Sequence, residues 1–510
     1  MQNNILEYLD VTCRRVPDKL AFSDGVDGLT FGELYSQARA VGSYLAAHGI
    51  YGEPVAVLMN KHPRAVAAFF GAVFGGCYYV PLDTEMPPVR LSVILQTVRP
   101  RVIICDEKTE DAARAVCDAD TNVVLYSEAS STPIDDSALD DIRRRAIDVD
   151  PIYIVFTSGS TGIPKGVVAC HRSVIDYIEN LSEVLRFSED TIFGNQSPLC
   201  FDACLKELYP TVKFGATTYL IPKSLFMFPL RLIRFINEHK INTICWVVSA
   251  LTMISSTGAL ESEVPSSLHT IAFGSEVFPP AQLRKWRAAL PNADFVNLYG
   301  PTEATGMSCW YRVTRDFKDD EAIPIGRPFK NTGILLITED GRLAGPGEEG
   351  EICIRGTPLT LGYYNNPEQT DKSFVQNPFQ PHFRELIYKT GDIGKYNEDG
   401  DLVFLSRRDH QIKHMGHRIE LGELEMAISP MSGVISACAI YDKENSRIVL
   451  FYTGTAERSD VTTFLKERLP RYMLPNTIIK LDEMPLTPNG KRDRMALLQL
   501  YESGKYNCSQ

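Results

Sequence analysis

Strand-like and helix-like segments alternate through the first part of the chain. Apolar runs of strand length occur at residues 53–60, 100–106, 121–127 and 217–222, and amphipathic helical segments occupy residues 31–50 and 228–240. Such alternation is typical of βαβ units, in which helices connect the strands of a mostly parallel sheet. The sequence therefore predicts an α/β fold built on parallel sheets.

The pattern changes at about Asp340. Residues 340–356 and 397–409 contain Asp-Gly pairs beside short extended runs, which is typical of antiparallel hairpins. The last segment, from Asp409 onward, mixes helical, extended and loop-like stretches and predicts a small α+β domain. A chain of 510 residues is also longer than the roughly 250 to 300 residues that one core supports, so at least two domains are expected.

Charge and composition argue against several classes of protein. The formal net charge of −12 disfavours a nucleic-acid or anionic-membrane surface, because binding phosphate groups requires a basic face. Residues 1–22 lack the basic start and apolar stretch of a signal peptide, and the longest apolar run, residues 65–80, is interrupted by glycines and too short for membrane insertion. This run predicts a buried helix leading into a strand. Twelve cysteines without a CxxC pair predict free thiols and a cytoplasmic protein.

The stretch YIVFTSGSTGIPKGVV, residues 153–168, joins a strand-like run to a loop of small and hydroxyl-bearing residues. Such a loop presents backbone N–H groups and hydroxyls to a polyphosphate, and the following Lys165 adds positive charge. It is not a Walker loop, which requires a glycine where Pro164 stands and a hydroxyl where Gly166 stands. Taken alone, the stretch is compatible with either a phosphate loop or a flexible turn.

Further motifs follow this loop in a fixed order. They are NLYGPTEATG at 297–306, YKTGD at 388–392, SRRDHQIKHMGHRIELGELE at 406–425 and PLTPNGKRDR at 485–494. Together with TSGSTGIPKG, the series resembles the adenylate-forming enzymes, specifically the amino-acid adenylation domains of nonribosomal peptide synthetases and the D-alanine–carrier protein ligases. The resemblance extends over nearly the whole chain, beginning at LTFGELYSQARAVGSYL, residues 29–45.

The resemblance implies a domain organisation. Residues 1–408 would form a large N-terminal domain of parallel sheets with a small β-barrel-like subdomain, and residues 409–510 a small mobile C-terminal domain. Asp409 would be the hinge about which this domain rotates. The rotation would withdraw the catalytic Lys491 after the first half-reaction and bring the loop around Gly416 to the thiol.

It also implies that an amino acid attacks the α-phosphorus of ATP, and that a carrier protein's phosphopantetheine thiol then takes up the aminoacyl group. Glu303 would hold Mg²⁺, which favours hard oxygen ligands. Lys491 would bridge the substrate carboxylate and the nucleotide. The remaining positions that would bind ATP are Thr157, Ser158, Gly159, Ser160, Thr161, Gly162, Lys165, Asn297, Tyr299, Gly300, Thr302, Asp392 and Arg407.

Asp202 in CFDACLKELYP resembles the aspartate that pairs with the α-ammonium group of an amino-acid substrate. Such a pair discriminates strongly, because a substrate without the amine leaves the buried carboxylate unpaired. A helix N-cap is the alternative role for this residue. The other pocket positions implied by the resemblance are Ala203, Lys206, Cys245, Ile271, Phe273, Leu298, Gly306 and Met307.

Lys206 leaves the substrate side chain open. If its ammonium points into the pocket, it favours a substrate with a carboxylate or polar side chain such as glutamate. If it points away, the remaining positions favour a medium-sized hydrophobic amino acid. The D-alanine ligases have a cysteine near Gly274 that this chain lacks, which disfavours D-alanine.

Two other functions remain alternatives: an acyl-CoA ligase for a non-amino carboxylic acid, and a catalytically inactive ATP-binding partner protein. The sequence ends 19 residues after Lys491 and has no condensation-like segment before its first motif, so we expect a separate carrier protein.

Overall fold

A computed structural model of the chain describes residues 2–159, 163–408, 411–487 and 492–504. The chain forms two compact units. The first contains residues 1–84, 98–156 and 166–408, and the second contains residues 85–97, 157–165 and 409–510. Two short internal segments therefore belong to the second unit together with the C-terminal part of the chain.

The helices and strands are numbered in chain order. The α-helices are α1 (Leu6–Arg15), α2 (Phe31–Ala47), α3 (Pro63–Phe74), α4 (Pro88–Val98), α5 (Glu110–Val116), α6 (Tyr126–Ala129), α7 (Asp136–Arg145), α8 (His171–Leu185), α9 (Leu205–Phe214), α10 (Pro229–Glu238), α11 (Val248–Ser256), α12 (Ala259–Ser262), α13 (Pro280–Ala289), α14 (Pro367–Ser373), α15 (Leu421–Ile428), α16 (Arg458–Lys466) and α17 (Arg494–Glu502). The strands are β1 (Leu20–Ser23), β2 (Gly28–Thr30), β3 (Pro54–Leu58), β4 (Tyr78–Leu82), β5 (Val102–Cys105), β6 (Asn122–Leu125), β7 (Pro151–Thr157), β8 (Lys165–Cys170), β9 (Ile192–Asn195), β10 (Thr217–Leu220), β11 (Thr243–Val247), β12 (Thr270–Gly274), β13 (Asp294–Tyr299), β14 (Cys309–Arg312), β15 (Arg327–Pro328), β16 (Thr332–Ile337), β17 (Gly350–Gly356), β18 (Phe374–Gln376), β19 (Leu386–Tyr396), β20 (Leu402–Arg407), β21 (Gln411–His414), β22 (His417–Glu420), β23 (Val434–Asp442), β24 (Arg447–Gly454) and β25 (Thr477–Leu481). Short 3₁₀ helices lie at Asp202–Cys204, Lys223–Met227, Thr302–Ala304 and Arg471–Met473.

Two large sheets organise the first unit. One has six strands in the order β6-β5-β3-β4-β7-β8, and the other has nine in the order β15-β14-β13-β12-β11-β9-β10-β1-β2. The pairs from β1 through β10, β9, β11 and β12 to β13 are parallel, and so are β6–β5, β5–β3, β3–β4 and β4–β7. The prediction of an α/β fold with parallel sheets is confirmed.

Local sequence accounts for the elements that connect these sheets. Helix α2 begins at a capping box in which the Thr30 side chain accepts from the Glu33 N–H and the Glu33 side chain accepts from the Thr30 N–H. The apolar run at residues 65–80 forms nearly all of α3 and enters β4, as predicted, and both elements are buried. None of the described helices is long and apolar enough to cross a membrane.

Successive residues of the central strands belong to different cores. Trp246 on β11 and Phe273 on β12 pack in one buried cluster, whereas Cys245 and Ala272 pack in another. The register pairs Trp246 with Phe273 and Cys245 with Ala272, as expected for side chains that alternate between the faces of a sheet. The nine-stranded sheet therefore separates two apolar cores.

The region after Asp340 is antiparallel, as its Asp-Gly turns predicted. Strands β16 to β20 form a five-stranded sheet in which the pairs β16–β17, β17–β19, β18–β19 and β19–β20 run antiparallel. The turn between β19 and β20 is closed by Asn397, whose side chain accepts from the Asp401 N–H at 2.8 Å. This sheet corresponds to the predicted small β subdomain.

The second unit has a mixed three-stranded sheet with the order β23-β24-β25 and the separate hairpin β21–β22. Met415 and Gly416 connect the hairpin strands with φ values of 51° and 79°. Positive φ at both central residues of a two-residue turn matches the twist of the hairpin. The predicted α+β character of the C-terminal segment is confirmed.

Gly71 on α3 offers a test of the packing of α2 against α3. A Cβ atom at this position would lie 2.5 Å from the Cβ of Val41. We expect Gly71→Val to lower the free energy of unfolding by about 1–3 kcal/mol, because the added atoms overpack the helix contact. Chemical denaturation measures this change, with Ala47→Val at the exposed end of α2 as control. Equal stability of the two variants would contradict the close helix contact.

Candidate active site

Asp392 is the centre of a buried polar cluster in the first unit. The Tyr299 hydroxyl, at the end of β13, donates to Asp392 Oδ2 at 2.5 Å. Arg407 lies opposite Asp392 across the β19–β20 pair and binds Oδ1. Arg407 also donates to the Thr390 carbonyl at 3.1 Å. The cluster brings together three of the positions predicted to bind ATP.

Tyr299 is only 5% exposed and packs with apolar residues including Ile325 and Leu402. Burial and the neighbouring Asp392 raise the pKa of its hydroxyl well above the usual value, so the group remains a hydrogen-bond donor near neutral pH. Its ring is thus held in place at both ends, by apolar packing and by the bond to Asp392.

The segment after Tyr299 approaches neighbouring backbone closely. A Cβ atom at Gly300 would lie 2.5 Å from the Gly306 carbonyl oxygen and 2.6 Å from the Ser308 nitrogen. Asn297, three residues earlier, donates from its side chain to the Pro324 carbonyl at 2.9 Å. Thr302 begins the short 3₁₀ helix that carries Glu303.

Glu303 is completely buried, and the Tyr363 hydroxyl donates to its carboxylate at 2.8 Å. Its own carbonyl accepts from Thr360, which fixes the backbone at this point. No group of three or more potential metal-ligating side chains occurs within the described ranges of the chain. A single carboxylate is nevertheless compatible with Mg²⁺ accompanying a nucleotide, because that ion is commonly bound by one or two carboxylates and the phosphates.

The described part of the phosphate loop belongs to the second unit. Thr157 ends β7, and its Oγ1 is buried without a hydrogen-bond partner among the described residues. Ser158 donates to the Arg418 carbonyl at 2.8 Å. A Cβ atom at Gly159 would lie 2.0 Å from the Ile163 carbonyl oxygen, so the loop closes tightly around this glycine. An orphaned hydroxyl at a tight glycine loop fits a phosphate contact.

Two residues beside this loop were not identified from the sequence. Glu423 at the start of α15 and Arg90 on α4 form a buried ion pair. Burial raises the pKa of Glu423, and Arg90 and the Gly159 N–H oppose that shift.

The predicted site residues Ser160, Thr161, Gly162, Asp409 and Lys491 lie outside the described residues. Lys165, the first residue of β8, is partly buried.

A second buried polar cluster lies at the carboxyl ends of the central parallel strands of the first unit. Asp202 and Ala203 form the 3₁₀ turn between β9 and α9 and are partly buried. Burial raises the pKa of the Tyr177 hydroxyl, and the nearby Cys245 and Asp202 raise it further. Tyr177 Oη has no hydrogen-bond partner in the part of the chain that the structure describes. Its ring lies 3.1 Å from where a Cβ atom on Gly306 would be.

Lys206, on the first turn of α9, belongs to this cluster and is 4% exposed. Burial raises the pKa of the Cys245 thiol, Glu207 raises it further, and Lys206 opposes both. The Lys206 ammonium is therefore close enough to act on Cys245, which lies on β11. Burial and this effect on Cys245 place the Lys206 side chain in the interior of the first unit.

Lys61 and Glu207 complete the cluster and were missed in the sequence. Lys61 Nζ donates to the carbonyls of Asn195 at 2.9 Å, Gln196 at 3.0 Å and Ile221 at 3.2 Å, beyond the ends of β9 and β10. Burial lowers the pKa of Lys61 to about 7, and nearby Glu207 opposes that shift. Burial raises the pKa of Glu207 to about 8. Only the folded chain reveals that these two residues are near each other, because they are far apart in sequence.

The structure does not bring all the predicted pocket positions on β11 and β12 to one face of the sheet. Ile271 and Phe273 pack in the cluster that contains Trp246, on the face opposite Cys245. Ala272 pairs with Cys245 and shares its core. Because side chains alternate along a strand, a pocket on one face of the sheet includes either Cys245 or the pair Ile271 and Phe273.

Two other predicted pocket residues, Leu298 and Met307, share the core that contains Cys245. Leu298 pairs with Gly274 and, like Met307, packs in the same core as Cys245 and Tyr177. Both side chains are buried. A Cβ atom on Gly274 would lie 2.3 Å from the Leu298 carbonyl oxygen, so the strands leave no room for a larger residue there.

Comparison with known proteins identifies relatives over nearly the full chain. The profile described as "AMP-binding enzyme" matches residues 9–364. Bacitracin synthase 1 of Bacillus licheniformis is 32% identical over 497 residues, which cover 96% of this chain and 9% of the synthase. Tyrocidine synthase 1 of Brevibacillus parabrevis is 30% identical over 97% of this chain and 45% of its own length. The chain thus spans less than half the length of either synthase.

Solved structures show the same fold. The Vibrio cholerae adenylation domain AlmE, in complex with glycyl-adenosine-5'-phosphate, aligns with a TM-score of 0.85 at 22% identity, over 99% of this chain and 98% of AlmE. The four-domain nonribosomal peptide synthetase AB3403, bound to AMP and glycine, aligns with a TM-score of 0.71 at 28% identity, over 97% of this chain and 36% of the synthetase.

Asp392→Asn tests the first polar cluster. We expect the affinity for AMP to fall at least about tenfold, because a neutral amide replaces a charged hydrogen-bond acceptor, a change of about 1.5–3 kcal/mol. Isothermal titration calorimetry with AMP measures the loss. Asp399→Asn, in the exposed turn between β19 and β20, is the matched control. Unchanged affinity of the Asp392 variant would remove this cluster from the nucleotide site.

Proposed function

Because the chain belongs to the family of AMP-binding enzymes, we propose that it activates an α-amino acid with ATP and transfers the aminoacyl group to a carrier-protein thiol. The observation that carries the proposal is the buried cluster at the ends of β9, β11 and β13. There Asp202 supplies a carboxylate beside Tyr177 and Cys245. Ligands of parallel α/β sheets bind at this edge of the strands.

The first half-reaction forms an aminoacyl adenylate. An oxygen of the substrate carboxylate attacks the α-phosphorus of ATP, and the bond from that phosphorus to the bridging oxygen of pyrophosphate breaks. Asp202 binds the α-ammonium group and orients the carboxylate for this attack. Charged and hydrogen-bonding groups fixed in advance stabilise the charge that develops, which is usually the largest catalytic contribution.

The nucleotide lies against the Asp392 cluster. The adenine ring stacks on Tyr299, and the ribose hydroxyls donate to Asp392, whose oxygens each have a second lone pair beyond the bonds to Tyr299 and Arg407. Asn297, Gly300 and Thr302 line the path from the base to the phosphates. Their close backbone packing leaves little freedom for the nucleotide to shift.

The phosphate loop and the metal position neutralise the leaving pyrophosphate. Thr157, Ser158 and Lys165 bind its oxygens together with the rest of the loop, residues 159–162. Glu303 would hold Mg²⁺, and the ion would supply positive charge beside the phosphates. Lys491 bridges the substrate carboxylate and the nucleotide, where negative charge accumulates.

The second half-reaction requires a different arrangement of the C-terminal residues. The domain boundary lies between residues 408 and 409, and Asp409 is the hinge. Rotation about it removes Lys491 from the adenylate and brings the hairpin turn at Gly416 to the incoming thiol. The thiol of a phosphopantetheine group on a separate carrier protein attacks the acyl carbon, and AMP leaves. The reaction takes place in the cytoplasm.

Amino-acid-dependent exchange of pyrophosphate into ATP tests the first half-reaction. With Mg²⁺ and a panel of L-amino acids plus D-alanine, we expect exchange with one amino acid or a small chemical class. Lys491→Ala should lower the exchange rate by about 100-fold or more, because a positioned charge at the transition state is lost. Lys466→Ala, at the exposed end of α16, is the control. A Lys491 variant with wild-type exchange would contradict this mechanism.

Transfer to a thiol distinguishes the proposed reaction from that of an acyl-CoA ligase. We expect the preloaded enzyme to aminoacylate a phosphopantetheinylated carrier protein, detected as a mass increase on the carrier. Saturable formation of a CoA thioester from a carboxylic acid without an amino group would instead support the acyl-CoA ligase. Nucleotide binding without exchange or thioester formation would support an inactive ATP-binding protein.

A further inference from the structure

Lys206 presents a buried positive charge without a counter-ion within 4 Å among the described residues. Its side chain is 96% removed from solvent, and within residues 2–159, 163–408, 411–487 and 492–504 it makes no hydrogen bond or ion pair. An ammonium removed from water without a partner is costly, so buried lysines are normally paired. A substrate group that supplies the missing partner would explain why the fold retains a lysine here.

Glu207, the neighbouring residue, does not neutralise Lys206. No ion pair within 4 Å joins them, although Lys206 lowers the pKa of the Glu207 carboxyl against the larger effect of burial. The Glu207 Oε2 accepts from Asn195 at 3.3 Å, and its Oε1 has no partner in the described chain. The Glu207 carboxyl thus bonds to Asn195 and forms no ion pair with Lys206.

Lys206 belongs to a connected group of buried residues. Its ammonium acts on the Cys245 thiol, Cys245 and Asp202 act on the Tyr177 hydroxyl, and the Tyr177 ring contacts Gly306. The buried hydroxyl of Tyr177 lacks a partner within the described segments. A negative charge at Asp202 and a positive charge at Lys206 thus flank one cluster with unsatisfied polar atoms. The two charges complement a ligand that carries an ammonium group and, in addition to the carboxylate that reacts, a second anionic group.

We infer that the substrate is an α-amino acid with a carboxylate side chain, such as aspartate or glutamate, and that Lys206 is the residue that selects it. This inference rests on the proposed amino-acid activation and specifies its substrate class. Asp202 binds the α-ammonium, Lys206 binds the side-chain carboxylate, and the α-carboxylate remains available to attack ATP. The amide analogues asparagine and glutamine lack the charge that Lys206 requires, and apolar side chains leave it unpaired.

Pyrophosphate exchange with matched pairs of amino acids tests this specificity. For the wild-type enzyme we expect kcat/KM for glutamate or aspartate to exceed that for its own amide by at least about tenfold, because losing a charged hydrogen bond costs at least 1.4 kcal/mol. Lys206→Met should lower kcat/KM for the acidic substrate by about 100-fold and favour an uncharged side chain of similar size. Lys206→Arg should recover part of the acidic activity because it restores the positive charge.

Lys213→Met is the matched control on the same helix. Lys213 lies at the last turn of α9 and is paired with Glu179 at 2.7 Å, so its removal should leave the ratio of acidic to amide substrate unchanged. An effect on that ratio equal to the effect of Lys206→Met would overturn the assignment of selectivity to Lys206. A wild-type preference for an apolar or cationic side chain would overturn it as well.

Binding without ATP separates this inference from the proposed function. Thermal denaturation of the wild-type enzyme with L-glutamate, L-aspartate or the corresponding amides measures recognition of the side-chain charge directly. Stabilisation by the acid alone, lost in Lys206→Met, together with no exchange, would retain the anion site and overturn the proposed catalysis. Exchange with uncharged amino acids and no stabilisation by either acid would retain catalysis and overturn the role of Lys206.

Discussion

The burial of charge at the carboxyl end of the central sheet is the constraint on which the site depends. Placing Lys61, Lys206 and Glu207 in the interior costs several kcal/mol for each ion that stays charged. The apolar cores on both faces of the nine-stranded sheet offset that cost and hold the strands in register. The Lys61 ammonium donates hydrogen bonds to three carbonyls at the carboxyl ends of β9 and β10. These bonds fix the start of the segment that leads from β9 to Asp202.

The Asp392 cluster connects the nine-stranded sheet of the first unit to its five-stranded antiparallel sheet. Tyr299 is the last residue of β13 in the nine-stranded sheet, whereas Asp392 and Arg407 belong to the antiparallel sheet. The bonds that these three side chains share connect the end of a parallel strand to a cross-strand pair. The positions proposed for the nucleotide and the amino acid thus meet at the end of one strand, since Leu298 and Tyr299 are adjacent on β13. This arrangement suits a reaction that joins one ligand to the other.

The sequence was sufficient for much of the fold because those predictions rested on local periodicity and turn residues. The helical pattern of residues 31–50 corresponds to α2 (Phe31–Ala47), and the apolar run at residues 53–60 corresponds to β3 (Pro54–Leu58). It was insufficient for β12, where Ile271 and Phe273 are as apolar as a pocket wall and only the register shows which face they occupy. Tyr177, Lys61 and Glu423 were missed because their significance comes from partners distant in sequence. The roles of Lys491 and Asp409 are still predictions from the family resemblance.

Alternation between two cores along β11 and β12 has a consequence for substitutions on these strands. Trp246 and Phe273 maintain the core on one face of the sheet, while their sequence neighbours Cys245 and Ala272 face the polar cluster. Substitutions at adjacent positions of the same strand therefore act on different cores, so the packing of one core can change while the other is kept.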